Sequence, residues 1–151
     1  MTKYFVFVYG TLKRGLFNFE TYLKPAIEQG KVSFVGAART SHAEFRMVLD
    51  NKGFYPCLFR VADGIHVSGE VFCVDNDTLV ALDRLEQVDK DLYRREELDV
   101  ELLDGERKGM TIKSLVYLTP VTEALLKLER IANYEPEMNV KFANWFRENE
   151  L

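Results

Sequence analysis

Apolar and polar positions change period several times along the chain, and each change marks an element. Tyr4 to Tyr9 is an unbroken β-branched and aromatic run stopped by Gly10, the pattern of a buried strand. After a loop from Gly10 to Gly15, Phe19, Tyr22 and Leu23 recur at helical spacing, which predicts a short helix over 17–23 that ends at Pro25. From Val32 to Val74 the pattern is that of short strands. Val32 to Ala38 and Phe45 to Leu49 are two, and Leu58 to Ala62 joins Val67 to Val74 across the turn dipeptide Asp63-Gly64 as a predicted hairpin.

Asp75-Asn76-Asp77-Thr78 supplies an N-cap and first-turn acids for a helix over 76–87, with Leu79, Val80, Leu82 and Leu85 as its apolar positions. Leu98, Val100 and Leu102 alternate with Asp99 and Glu101, a half-buried strand, and Asp104-Gly105 turns the chain into a further strand from Ile112 to Leu118. Pro120 suits the first position of a helix running to about Ile131, and Val140 to Glu148, with Trp145 and Phe146, reads as a last helix.

Many strands with a few helices, in an order that is mostly not βαβ, indicate the α+β class, with a mixed, mostly antiparallel sheet curled toward a small barrel. With 151 residues and no repeat or linker composition, the expectation is one domain over 1–151 whose C-terminal segment, from about 120, is helix-rich.

Composition then removes function classes. The whole chain has only His42 and His66, and only Cys57 and Cys73, too few for a Cys/His zinc site, an iron–sulfur cluster or a disulfide framework within one subunit. Each cysteine sits in an apolar stretch, so both read as buried thiols of a reducing compartment. The net charge is -4 and the 20 Lys and Arg are scattered, which argues against nucleic acid or a polybasic membrane surface as a partner. No cleavage site and no apolar run near the ~20 residues of a membrane helix occur, so the expected location is the cytoplasm.

Two places carry chemistry. In Tyr9-Gly10-Thr11-Leu12-Lys13-Arg14-Gly15 a strand stops at one glycine and a second follows five residues later, so successive N–H groups can converge on an anion. Leu16-Phe17 stands where a phosphate-binding P-loop requires Lys and Ser or Thr, which rejects the nucleotide reading. An ordinary strand-to-helix turn remains the alternative to an anion or oxyanion cradle.

The second place is Glu86. At about 100° per residue it lies some 700° beyond Leu79, returning to within roughly 20° of that leucine's direction on the helix. A carboxylate on an apolar face has its charged form disfavoured and suits a general base or acid near neutral pH. The alternatives are a helix that frays before Glu86, or a pair with Lys90, Arg94 or Arg95. His42 and His66 read as solvated loop residues, and Tyr93 and Tyr134 as core or rim aromatics.

At these residues the chain resembles the γ-glutamylcyclotransferase-like, or AIG2-like, superfamily. The matching features are Phe5 to Gly15, the strand Gly69-Glu70-Val71-Phe72, and Leu82-Asp83-Arg84-Leu85-Glu86 followed by Leu92-Tyr93-Arg94-Arg95, across roughly residues 4 to 118. The resemblance implies a small mixed β-barrel whose cavity is closed by the Tyr9 to Leu12 loop. It implies a reaction without metal or cofactor, in which the α-amine of a γ-glutamyl group attacks its own side-chain carbonyl, forming 5-oxoproline and releasing an amine. Glu86 would then be the base, the N–H groups of Gly10, Thr11 and Leu12 would hold the glutamyl carboxylate or the oxyanion, and Tyr9 and Tyr93 would line the pocket.

Thr11 favours the amine-directed branch, acting on γ-glutamylamines such as γ-glutamyl-ε-lysine. Beyond Leu118 the chain does not match that branch except at Tyr134, so the leaving-group side is open. The alternatives kept are a non-catalytic binding module for γ-glutamyl or carboxylate ligands, and a cyclotransferase that removes a γ-glutamyl protecting group in a biosynthetic route.

Overall fold

The computed structural model describes residues 3–50 and 55–149. Among them, β1 (Lys3–Val8) leads through the glycine loop to a π-helical turn (Phe19–Leu23) that runs into α1 (Lys24–Glu28). Then come β2 (Val32–Thr40), β3 (Phe45–Leu49), β4 (Pro56–Arg60), β5 (Ser68–Asp75), α2 (Asn76–Leu85), a 3-10 turn (Val88–Lys90), β6 (Arg94–Leu102) and β7 (Thr111–Leu118). The chain ends with α3 (Glu123–Leu126), the short β8 (Arg130–Ile131) and α4 (Pro136–Asn149).

Five strands close a barrel in the order β1-β5-β2-β6-β7, antiparallel except where β7 meets β1 in parallel at Val6↔Leu115. β1 is continuous in apolar residues because both its faces are covered. Phe7 and Tyr9 face one core with Val71, Val100 and Val116, while Val6 and Val8 face a second core with Leu23 of the π-turn and Leu79 and Leu82 of α2. A second sheet, β4-β3-β8, adds Phe45, Met47 and Leu58 to the first of these cores.

The α+β barrel expectation holds, with four local corrections. First, β4 and β5 form no hairpin: β4 pairs with β3, whereas β5 pairs with β1 and β2. Asp63-Gly64 instead brings Ile65 into a bridge with Phe45, and a Cβ on Gly64 would lie 2.3 Å from the Glu44 carbonyl carbon. Second, Pro25 does not end the first helix. It sits in the first turn of α1, where its missing N–H costs nothing, because the π-turn hands over to a new helix there.

Third, the helix foreseen over 120–131 shrinks to four residues capped by Thr122. Leu125 and Leu128 pack on Val48, Cys57 and Phe59 instead, and Arg130–Ile131 adds a strand to β3. Fourth, α4 starts at Pro136, four residues before the expected Val140. Cys57 is buried and Cys73 only partly so. No helix among the described residues is long and apolar enough to cross a membrane.

Candidate active site

The glycine loop leaves β1 through two consecutive turns. Lys13 N–H donates to Gly10 O and Leu16 N–H to Lys13 O, each at 3.0 Å. Asn18 clamps the loop from the far side, its N–H donating to Thr11 O at 3.0 Å and its Nδ2 to Thr11 Oγ1 at 2.6 Å. The carbonyls of Gly10, Thr11 and Lys13 are thus occupied, while the N–H groups of Gly10, Thr11 and Leu12 have no acceptor among the described residues. Gly10 itself is required by contact: a Cβ there would stand 2.6 Å from Pro56 Cγ.

This loop forms one side of a cavity of about 360 Å³. The end of α2 forms another. Asp75 caps that helix by accepting from Thr78 N–H at 2.9 Å, and Leu79 and Leu82 anchor it to the barrel. The α-helix stops at Leu85, two residues short of the expected end. Glu86 nevertheless keeps helical backbone angles, and its N–H still donates to Leu82 O at 3.0 Å. Gln87 then enters the left-handed region (φ 52°) and turns the chain away.

The Glu86 side chain therefore lines the cavity and is only partly exposed. Burial alone pushes its carboxyl up to about 7. Neither of the expected arginine partners takes it: Arg95 Nη1 pairs with Asp83 Oδ2 at 2.5 Å, and Arg94 lies 3.9 Å from Glu96. No hydrogen bond or ion pair reaches the Glu86 carboxyl among the described residues.

Three phenols surround it, each with its hydroxyl committed elsewhere. Tyr9 donates to Tyr117 O, Tyr93 to Pro56 O at 3.0 Å, and Tyr117 to Asp83 Oδ1 at 2.8 Å. Burial, reinforced by the nearby Glu86 charge, drives all three phenol pKa values upward, so they remain neutral walls.

The predicted set Tyr9, Gly10, Thr11, Leu12, Glu86 and Tyr93 thus lines one cavity. Tyr134 does not line it; that residue is fully buried elsewhere. Among the lining residues that the local pattern did not assign to the site are Phe142, Trp145 and Phe146 of α4. Spacing of three and four residues places them on one helical face, yet periodicity cannot say which surface that face meets. Among the described residues no three His, Cys, Asp or Glu side chains converge as metal ligands would.

A family model described as gamma-glutamyl cyclotransferase, AIG2-like, matches residues 6–138, twenty residues beyond the segment in which the sequence motifs lie. Gamma-glutamylaminecyclotransferase A of Danio rerio is 36% identical over 115 residues, covering 76% of this chain and 68% of its own. Gamma-glutamylaminecyclotransferase of Mus musculus is 33% identical over 118 residues, covering 76% of each. The crystal structure of an AIG2-like protein from Mus musculus superposes with a TM-score of 0.78 at 29% identity, over 89% of this chain and 90% of that one. By sequence and by fold, this chain belongs to the gamma-glutamyl cyclotransferase, AIG2-like family of enzymes.

Proposed function

We propose that the protein converts γ-glutamylamines into 5-oxoproline and a free amine. The observation that carries this reading is the placement of the unpaired Glu86 carboxyl in the same apolar cavity as three backbone N–H groups without acceptors. The zebrafish and mouse relatives are named for γ-glutamylamines, which supports that substrate class.

In the proposed reaction Glu86 takes one proton from the substrate α-ammonium, and the freed amine attacks the γ-carbonyl carbon. The N–H groups of Gly10, Thr11 and Leu12 hold the α-carboxylate or the developing oxyanion, and Tyr93 lines the pocket. A second proton passes through Glu86 from the new ring nitrogen to the departing one as the old C–N bond breaks. Two protons leave the attacking nitrogen and two arrive on the released amine, so one carboxyl cycles through both roles.

Folding the substrate onto itself accounts for roughly 7–11 kcal/mol of barrier in well-oriented cyclisations. A positioned base adds about 10²–10⁴-fold. The test is 5-oxoproline release from γ-glutamyl-ε-lysine, γ-glutamyl-alanine and glutathione, with Glu86→Gln expected to lose at least about 10²-fold. Undiminished activity in that variant removes Glu86 from the role. Thermal stabilisation by 5-oxoproline with no turnover of any adduct establishes a binding module instead.

A further inference from the structure

The cavity lining carries two kinds of chemistry. Its polar part, the Gly10–Leu12 loop and Glu86, suits the ammonium, carboxylate and carbonyl of a glutamyl group. Its other walls include Leu85, Leu92, Phe142, Trp145 and Phe146. Among the described lining residues no Lys, Arg or His occurs, and Glu86 is the single carboxylic acid.

The aromatic wall is held in place by the segment that follows the glycine loop. Phe17 stacks edge-on to Phe142 at 5.6 Å and lies 5.1 Å from Phe146, and its N–H donates to Asn139 Oδ1 at 3.2 Å. Lys13 Nζ adds a 2.7 Å bond to Asn133 Oδ1, ahead of α4. Trp145 stands tilted to Phe142 at 6.3 Å and 46°, while Phe142 and Phe146 stack at 6.1 Å and 29°. These three aromatics lie outside residues 6–138, the part of the chain shared with the family model.

Resting on the cyclotransferase reading, we propose that the α4 wall is the leaving-group subsite and that it takes a primary amine with a hydrocarbon or aryl body and no carboxylate. Among the described lining residues nothing offers a carboxylate a cation in exchange for its water, whereas an aryl body gains by leaving water for aromatic surface. An amino acid or peptide leaving group is disfavoured for the first reason. A diamine is disfavoured because its distal ammonium leaves water for a wall that, among the described lining residues, has no carboxylate besides Glu86.

The test compares kcat/KM for γ-glutamyl adducts of 2-phenylethylamine, methylamine, 1,5-diaminopentane, lysine (through its ε-nitrogen) and alanine. The phenylethyl adduct is expected to exceed every other by about 10-fold or more. Trp145→Ala should collapse its advantage over the methylamine adduct, and Trp145→Phe should preserve it, with thermal midpoints confirming that both fold. Equal or better turnover of the lysine or diaminopentane adduct overturns the subsite proposal and leaves the cyclotransferase reading intact.

A second readout does not need turnover. Trp145 is the chain's single tryptophan, so its emission reports the wall directly. In Glu86→Gln the phenylethyl adduct should saturate an emission change at about one-tenth of the concentration the alanine adduct needs or less. Equal concentrations overturn the proposal. Discrimination by emission with no 5-oxoproline from the wild-type protein overturns the reaction and upholds the wall's selectivity.

Discussion

Asp83 Oδ1 accepts the phenol proton of Tyr117 at 2.8 Å while its other oxygen takes Arg95. One carboxylate thus ties α2 to β6 and β7, three residues before Glu86. The motif residue whose chemistry the sequence left open is a clamp on the helix end that aims the candidate base.

Breaking that clamp should cost stability and alignment together. Asp83→Ala leaves Arg95 and Tyr117 without their partner and should lose about 1–3 kcal/mol, and Tyr117→Phe about 1 kcal/mol, in urea unfolding. The double variant should lose less than the sum, because both substitutions remove the same bond. A sum that is fully additive would show that the two residues do not act as a unit.

Glu86 couples stability and activity to pH in opposite directions. Its carboxyl sits at about 7 in the fold against an ordinary 4.5, so between those values the folded protein holds a proton that the unfolded chain has released. The folded state therefore loses stability as pH rises from about 4.5 to about 7. Glu86→Gln should be more stable than the wild type at pH 8 by on the order of 1–3 kcal/mol, a gain that disappears below pH ~4.5. Since the proposed base works deprotonated, kcat/KM should climb with pH through about 7, and this limb should be missing from the residual activity of Glu86→Gln.

Gly10→Ala places a methyl 2.6 Å from Pro56 Cγ, and the loop and β4 cannot both stay where they are. Overpacking of this kind costs about 1–3 kcal/mol. The larger effect should be kinetic: misplacing three N–H groups by about 1 Å lowers kcat/KM by about 10²-fold. Wild-type kinetics in this variant would show that the loop's position is not critical.

The cap of α2 is a distant control on the same helix. Asp75→Ala removes the acceptor for Thr78 N–H and should cost about 1 kcal/mol, seen as a lower thermal midpoint. The Thr78 side-chain hydroxyl is the largest cause holding the Asp75 carboxyl below its usual range, and the Thr78 N–H bond adds to it. The stability it contributes is therefore present above the ordinary aspartate pKa and fades as pH falls through the lowered value. Its effect should be visible at neutral pH and shrink in acid.

Several elements were legible because their signals are local. β1 announces itself by an apolar run that only a strand covered on both faces can bury, and α2 by a cap followed by apolar positions one helical turn apart. Glu86 stood out because an acid on the leucine face of a helix conflicts with that face. Other elements misled for an equally physical reason. Asp63-Gly64 has hairpin chemistry, but Gly64 is needed for close approach to the Glu44 backbone, and the flanking strands pair elsewhere. Residues 127–131 resemble a helix end, but β3 offers an open edge and takes Arg130 and Ile131 as a strand.

By itself the sequence determined the chemistry available: few imidazoles and thiols, a glycine loop with backbone donors, and one carboxyl on an apolar face, all of them matters of residue type and short-range period. Only the tertiary structure decided what those groups meet. Packing of the second sheet on the barrel brings Pro56 of β4 against Gly10, and the end of α2 sets the Glu86 side chain in the same cavity. The return of α4 onto Phe17 makes a C-terminal helix part of the wall. Such contacts join residues far apart along the chain, where no local period carries information and packing alone selects the partner.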